Sequence, residues 1–346
     1  MRRINVFSLA LGLFSTATAF AQAPKPAGSA AQELALEQTM DQKDGRKDAR
    51  STNHAKPVDI DINCNHLKGP NNSINAVLAR LDPLRVWTLD VSGACKENVV
   101  IQSFENLTLV AKPGASITDP SGGNLDVLDV GDTHEFSLQG FTINGGATGV
   151  ACLDYSLCRF SGNTIQGSAG DGMVIVRSRA SLQGDTLQNN AGRGLAVLSG
   201  GIALAIGVTA QGNGQIGALA NIGSNLTTLN LISRNNAAAG MRIANHSTLR
   251  LIDSTVTGNA GQGVTVDFSS EARFDTNTTG NVITGNGFAG VRLGDLSFVF
   301  FTGADNITGN QLANPGGFDV VCGLQFSATR GALTSIGGGT TNCVEP

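Results

Sequence analysis

The chain has 346 residues, 45 of them Gly, with 14% charged residues and a single Trp and a single Tyr. That composition does not describe an ordinary mixed globular core and favours tight turns with small stacked side chains. A formal net charge of −4 argues against nucleic acid as a partner, because neutralising phosphates requires basic clusters.

At the N-terminus, Met1-Arg2-Arg3-Ile4-Asn5, the apolar run Val6 to Phe14 and the small-residue segment Ser15 to Ala21 have the three parts of a secretory signal peptide. Cleavage is expected after Ala21, with a poorer site after Ala23. A membrane anchor is the alternative, but the apolar run is short for a span at about 1.5 Å per residue. The expected division is therefore 1–21 signal peptide, 22–57 flexible leader and 58–346 folded domain, in a secreted or periplasmic protein without a membrane span once matured. The leader is rich in Ala, Gln, Lys and Asp and has too little apolar surface to offset ordering.

Next, Asn72 to Leu81 places Ile74, Val77, Leu78 and Leu81 at helical spacing behind an Asn or Ser N-cap. This short amphipathic helix is expected to cap the first coil of the folded domain.

From there the chain repeats. Gly149, Gly172, Gly194, Gly217, Gly240, Gly263 and Gly290 each precede alternating apolar residues, at steps of 22 or 23 residues with one of 27. Asn190, Asn213, Asn236, Asn259 and Asn286 stand four residues before five of those Gly. Asn tolerates left-handed corners, and its amide can donate to one neighbour while accepting from the other, so the same corner of successive coils is expected to carry an asparagine ladder. The fold class is all-β: a right-handed parallel β-helix of about nine coils, with parallel strands about 4.8 Å apart. The longer step is expected to bulge around Asp275 to Gly280, and Phe318 to Cys322 reads as a last strand. Leucine-rich and helical repeats fail for lack of their apolar spacing.

The Gly-apolar-x-apolar and Asn register resembles the right-handed β-helix repeat proteins of the pectate-lyase-like superfamily, including NosD-like repeats, over about residues 58 to 346. The resemblance is specific for fold and unspecific for activity, since lyases, hydrolases, epimerases and adhesins share it.

Six Cys remain after the signal, and proximity favours Cys64 with Cys95, Cys152 with Cys158 and Cys322 with Cys343 in an oxidising compartment. Buried free thiols are the alternative for Cys152 and Cys158.

Lyase-like Trp-Ile-Asp-His, hydrolase-like Asn-Thr-Asp and Gly-His-Gly, and epimerase-like Asp-Pro-His-Asp runs are absent from the sequence. On the strand after each Gly, the second and fourth positions face outward, and the resemblance implies that this face lines a substrate cleft. There Arg242, Asp267 and Arg292 fall on three consecutive coils. They can grip a carboxylated sugar, with Asp267 orienting it or acting as base, or form a solvated salt-bridge ladder. His246, at the next turn, is a candidate acid or base. Asp126, Asp129, Asp132, His134 and Glu135 are candidate oxygen ligands for Ca²⁺, though their spacing matches no defined loop; no other cofactor is indicated. The outward face from Val174 to Leu219 is apolar, and Trp87, Tyr155, Phe298, Phe300 and Phe301 are the aromatics available to a glycan.

The expectation is a non-catalytic extracellular or surface scaffold contacting carbohydrate or protein. The alternatives are a polysaccharide lyase or epimerase acting on an acidic glycan, and an adhesin or assembly subunit.

Overall fold

A computed structural model describes residues 57–66, 69–310, 317–323, 328–330 and 336–343. The expected signal peptide and most of the expected leader lie outside these residues.

Each full coil contributes a strand to each of three parallel sheets, and the first sheet has one further strand at each end. The first sheet has twelve strands, from Val58–Asn63 to Ala328–Arg330. The second has ten, from Val99–Gln102 to Val320–Cys322, and includes the strands that come after the repeated Gly. The third also has ten, each of three residues, from Ala94–Lys96 to Asn306–Thr308. The count is thus about ten coils rather than nine, because the outermost coils lack the Gly and Asn markers that reveal the others.

The register tracks those markers. Val150 pairs with Met173, Met173 with Leu195, Leu195 with Ala218 and Ala218 with Met241, so the residue after each Gly meets its counterpart one coil away. A one-residue slip would turn every inward side chain to solvent. Phe136, Phe160 and Phe274 of the first sheet fill the lumen with the aliphatic residues of all three sheets. Gly is required ahead of the second-sheet strands by close approach: a Cβ on Gly194 would lie 2.6 Å from Gly217 O and 2.8 Å from Asn213 Nδ2.

The asparagine ladder runs from Asn190 through Asn213, Asn236, Asn259 and Asn286. Each Nδ2 donates to the Oδ1 of the next rung at 2.8 to 3.0 Å. It continues beyond the sequence expectation, through Asn310 at 2.9 Å to Asp319 at 3.1 Å. The other inner corners carry ladders of mixed type: Ser247 N donates to Ser270 Oγ, Asn163 Nδ2 to Asp185 Oδ1 and Asn281 Nδ2 to Asp305 Oδ1. Burial pushes Asp185 up to about 6, against the opposing bonds from Asn163 and Gln183.

The helix spans Ile74–Leu78, shorter than the spacing implied. Its last turn tightens, with Arg80 N bonding Val77 O and Leu81 N bonding Leu78 O, just ahead of Pro83. Ser73 is the N-cap, and Ser73 Oγ, Ile74 N and Asn75 N all donate to Glu97, which fastens the helix beside Val99–Gln102, the edge strand of the second sheet. All three expected disulfides form: Cys64–Cys95, Cys152–Cys158 and Cys322–Cys343. The long step bulges where expected, and Asp253 organises the bulge by accepting from the backbone N–H groups of Asn277, Thr278, Thr279 and Gly280. The last second-sheet strand begins at Val320, not Phe318.

Candidate functional site

Strand alternation turns Arg242, Thr265 and Arg292 outward side by side on the second sheet, in direct register. Asp267, two residues beyond Thr265, reaches back between the two guanidinium groups. Arg292 Nη1 donates to Asp267 Oδ1 at 3.0 Å, and Arg242 Nη2 stands 3.5 Å from Oδ2. The carboxylate is nearly enclosed, at 9% side-chain exposure, whereas the Arg242 and Arg292 side chains are 41% and 43% exposed. Gly294 belongs to this arrangement, because the Asp267 carboxylate occupies the space a Cβ there would need. Arg242 Nε is buried without a hydrogen-bond partner, so Arg242 is held less completely than Arg292.

The three residues singled out by alternation therefore meet as a closed ion-pair clamp with one surplus positive charge. Such a group can bind an anion through the free edges of its guanidiniums. The Asp267 carboxylate is turned toward the two guanidiniums and is largely shielded from solvent. His246 does not join the clamp. It sits exposed at the turn with φ 62°, and its side chain makes no hydrogen bond or ion pair among the described residues. Phe268, directly after Asp267, is 48% exposed, and Ile222 and Leu296 are exposed at the same corner of other coils.

Toward the N-terminal coils, the apolar face is more closed than its outward positions imply: Ala151, Ala196 and Leu219 are all buried. The five candidate calcium ligands do not converge. Asp126 accepts from Thr148 N at 2.8 Å, Asp132 from Ser103 Oγ at 3.0 Å, His134 faces Glu105 at 3.5 Å and Glu135 faces Arg159 at 3.3 Å. Asp129 stands apart from these pairs; burial, then the charges of Asp126 and Asp154, hold its carboxyl above the usual range. Among the described residues, one cluster of metal-ligating types occurs, Cys64, Cys95 and Glu97, but its sulfurs are joined in a disulfide and its carboxylate caps the helix.

A second clamp is not apparent from the sequence. On the first sheet, Asp275 accepts from Arg250 Nε and Arg273 Nε, both at 2.7 Å, and from Thr302 Oγ1. Burial pushes its carboxyl up, but the bonds from Thr302, Arg250 and Arg273 outweigh burial and hold it below the usual range. The signal that could have found it is the alternation of Arg250 and Arg273 with apolar residues on adjacent coils. Of the candidate aromatics, Trp87 is buried with its Nε1 donating to Asp82 O, and Phe301 packs on Phe274 in the lumen. Tyr155 and Phe298 are exposed.

Residues 127–279 match the family described as right handed beta helix region. The structure is similar to the A-module of the mannuronan C-5 epimerase AlgE4 of Azotobacter vinelandii, with a TM-score of 0.51 and 12% identity over 73% of this chain and 89% of that one. It is similar also to the pectate lyase Pel9A, with a TM-score of 0.51 and 11% identity over 83% of this chain and 78% of that one. A search of curated protein sequences finds no match. At such identities the likeness concerns fold alone. The fold is thus a right-handed parallel β-helix like that of the epimerase module and the pectate lyase.

Proposed function

We propose that this protein is a secreted, non-catalytic β-helix scaffold that holds acidic polysaccharide through Arg242 and Arg292. The observation that carries the reading is the enclosure of Asp267. Its carboxylate is turned to two guanidiniums, so the site has cationic edges for a uronate carboxylate while Asp267 itself is engaged in ion pairs. Phe268 and the other exposed apolar side chains of that corner offer sugar rings a non-polar surface. The similar solved structures are named as an epimerase of mannuronan and a lyase of pectate, both acidic glycans, which supports the same ligand class. Three disulfides agree with an oxidising, extracytoplasmic location. Among the described residues, no helix is long and apolar enough to cross a membrane.

The test is to incubate the purified chain, disulfides intact, with a panel of acidic and neutral polysaccharides with and without Ca²⁺. Binding is read by affinity electrophoresis and products by mass spectrometry in deuterated solvent. Retention by acidic glycans that is lost in Arg242→Ala/Arg292→Ala, with no new product, is the expected outcome. Unsaturated, shortened or deuterium-labelled sugars would instead make the protein a lyase or epimerase.

A further inference from the structure

The third sheet presents a surface unlike the other two. Ser116, Thr142, Thr164, Thr186 and Thr209 occupy its first outward position on five consecutive coils, in direct register. None of their hydroxyls has a hydrogen-bond partner among the described residues, and all five residues are half-buried. The other outward position of the same coils holds Thr118, Asn144, Gln166, Gln188 and Gln211. These are tied into a surface amide ladder. Gln166 donates to Asn144 at 2.9 Å, Gln188 to Gln166 at 2.9 Å and Gln211 to Gln188 at 2.8 Å. Both columns are interrupted at one coil, where Ile232 replaces Thr and Arg234 closes the amide ladder on Gln211, before Thr255 and Thr257 follow on the next.

The columns are ordered before any ligand arrives, since β-branched Thr is stiff at χ1 and each Gln is held by its neighbours. Each interior amide spends one N–H and one lone pair on the ladder, which leaves one of each for a ligand on every coil. The surface is also open: Gly162, Gly184 and Gly207, which border the Thr column at positive φ, have no atom within 4 Å of where a Cβ would stand.

We propose that this strip is a second binding surface, distinct from the arginine clamp, for an uncharged, extended glycan chain lying parallel to the solenoid axis. Between Lys96 beside Thr118 at one end and Arg234 beside Gln211 at the other, the five coils carry no outward charge on this sheet, so a polyanion finds no counter-charge along its length. The strip is about 20 Å long and less than about 10 Å wide, on the order of 200 Å². A stable protein interface needs roughly 800 Å² from each partner, which excludes a second copy of this chain or another globular protein as its occupant. Gln side chains extend further than Thr, so the amide column forms a rail beside a lower hydroxyl floor, a shape that suits one chain rather than a flat solid. Sugar hydroxyls both donate and accept, as do the free amide and Thr groups, and the coil spacing of about 4.8 Å assigns about one sugar to each coil.

The experiment is calorimetric titration of the purified full chain with neutral β-linked glucan, xylan and mannan oligosaccharides of about five sugars, one per coil. A polyuronate oligosaccharide is titrated in parallel. Thr164→Val/Thr186→Val removes two hydroxyls while keeping shape and strand preference. At least one neutral oligosaccharide is expected to bind, to weaken about tenfold or more in that variant, and to bind Arg242→Ala/Arg292→Ala unchanged. The uronate is expected to show the opposite pattern. No binding of any neutral oligosaccharide at millimolar concentration, or loss only in the arginine variant, overturns the proposal and leaves the clamp to stand or fall on the uronate result. If the double Val variant unfolds earlier than the parent, Gln188→Leu, which breaks the amide ladder at one rung, is measured in its place with the same expected loss.

Discussion

Arg292 holds Asp267 at 3.0 Å while Arg242, on the other side, holds it at 3.5 Å, so one carboxylate keeps two like-charged side chains together on neighbouring coils. Asp267→Asn removes the negative charge and leaves the pair with two positive charges in place of one. Affinity for acidic glycan is expected to rise several-fold, most at low salt, because attraction between exposed charges is screened by ions. Stability is expected to fall by about 1 kcal/mol, since both arginines are well exposed and such pairs contribute little. Affinity electrophoresis at two ionic strengths and urea unfolding check the two effects; unchanged affinity would remove the clamp from the binding site.

Glycine at different places in one coil should respond differently to the same change. A Cβ on Gly217 would stand 2.6 Å from Gly240 O and 2.7 Å from Asn236 Nδ2, within the ladder corner. Gly217→Ala is expected to cost about 3 kcal/mol by forcing neighbouring coils apart. Gly162, at φ 64° with nothing nearby, meets only the backbone penalty of a left-handed conformation, and Gly162→Ala is expected to cost about 1 kcal/mol. Urea midpoints of the two variants give the comparison.

Asp185 introduces a pH dependence of definite sign. Burial raises its pKa in the folded protein to about 6, above the ordinary 3.8, so between those values the folded state holds a proton that the unfolded state has released. Its contribution is complete below about pH 4 and is lost as pH rises through 6, a decline of about 3 kcal/mol. Asp253 and Asp275, held below the usual range by hydrogen bonds that outweigh burial, act in the other direction and at lower pH: their stabilisation is lost on acidification. Unfolding free energy measured from pH 4 to 7 should fall more steeply in the parent than in Asp185→Asn. Parallel curves would mean that Asp185 titrates normally.

The Cys322–Cys343 bond closes a separation of 21 residues at the last coil. Cys322→Ser/Cys343→Ser is expected to lower stability by about 3 kcal/mol, against about 2 kcal/mol for Cys152→Ser/Cys158→Ser, whose separation is 6. Guanidinium unfolding of the two variants tests the order, and equal losses would show that loop length does not govern it.

The second sheet is legible in the sequence because close coil packing demands Gly at one point and buried amide pairing demands Asn at another, so the residue letters themselves repeat. The last rungs are hidden because Asn310 stands seven residues before Gly317 instead of four, which breaks the alignment without breaking the ladder. The corner that includes Asn163, Asp185, Ser254 and Asn281 leaves no repeat because Asn, Asp and Ser each accept from the matching backbone N–H of the preceding coil there. Alternation places Arg242, Asp267 and Arg292 on one face but does not reveal that the carboxylate is enclosed, which depends on the lack of a Cβ at Gly294, whose place the carboxylate takes. The Arg250 clamp is obscured since first-sheet strands carry no Gly to set their phase, and Asp275 reads as the start of a loop.

The ladder that ends at Asp319 has a direction. Each amide gives its proton toward the C-terminal coil, and the terminal carboxylate can only accept. A rung is therefore interchangeable with its neighbours but not reversible. The interior of the solenoid behaves as a graduated rule, in which inserting or removing a whole coil of 22 or 23 residues between Gly172 and Gly240 would keep the asparagine rungs in register at the joint. Each such edit would shift whatever is displayed beyond it by one division of about 4.8 Å. Distance along this molecule is thus quantised, and the span between surface features is a whole number of coils.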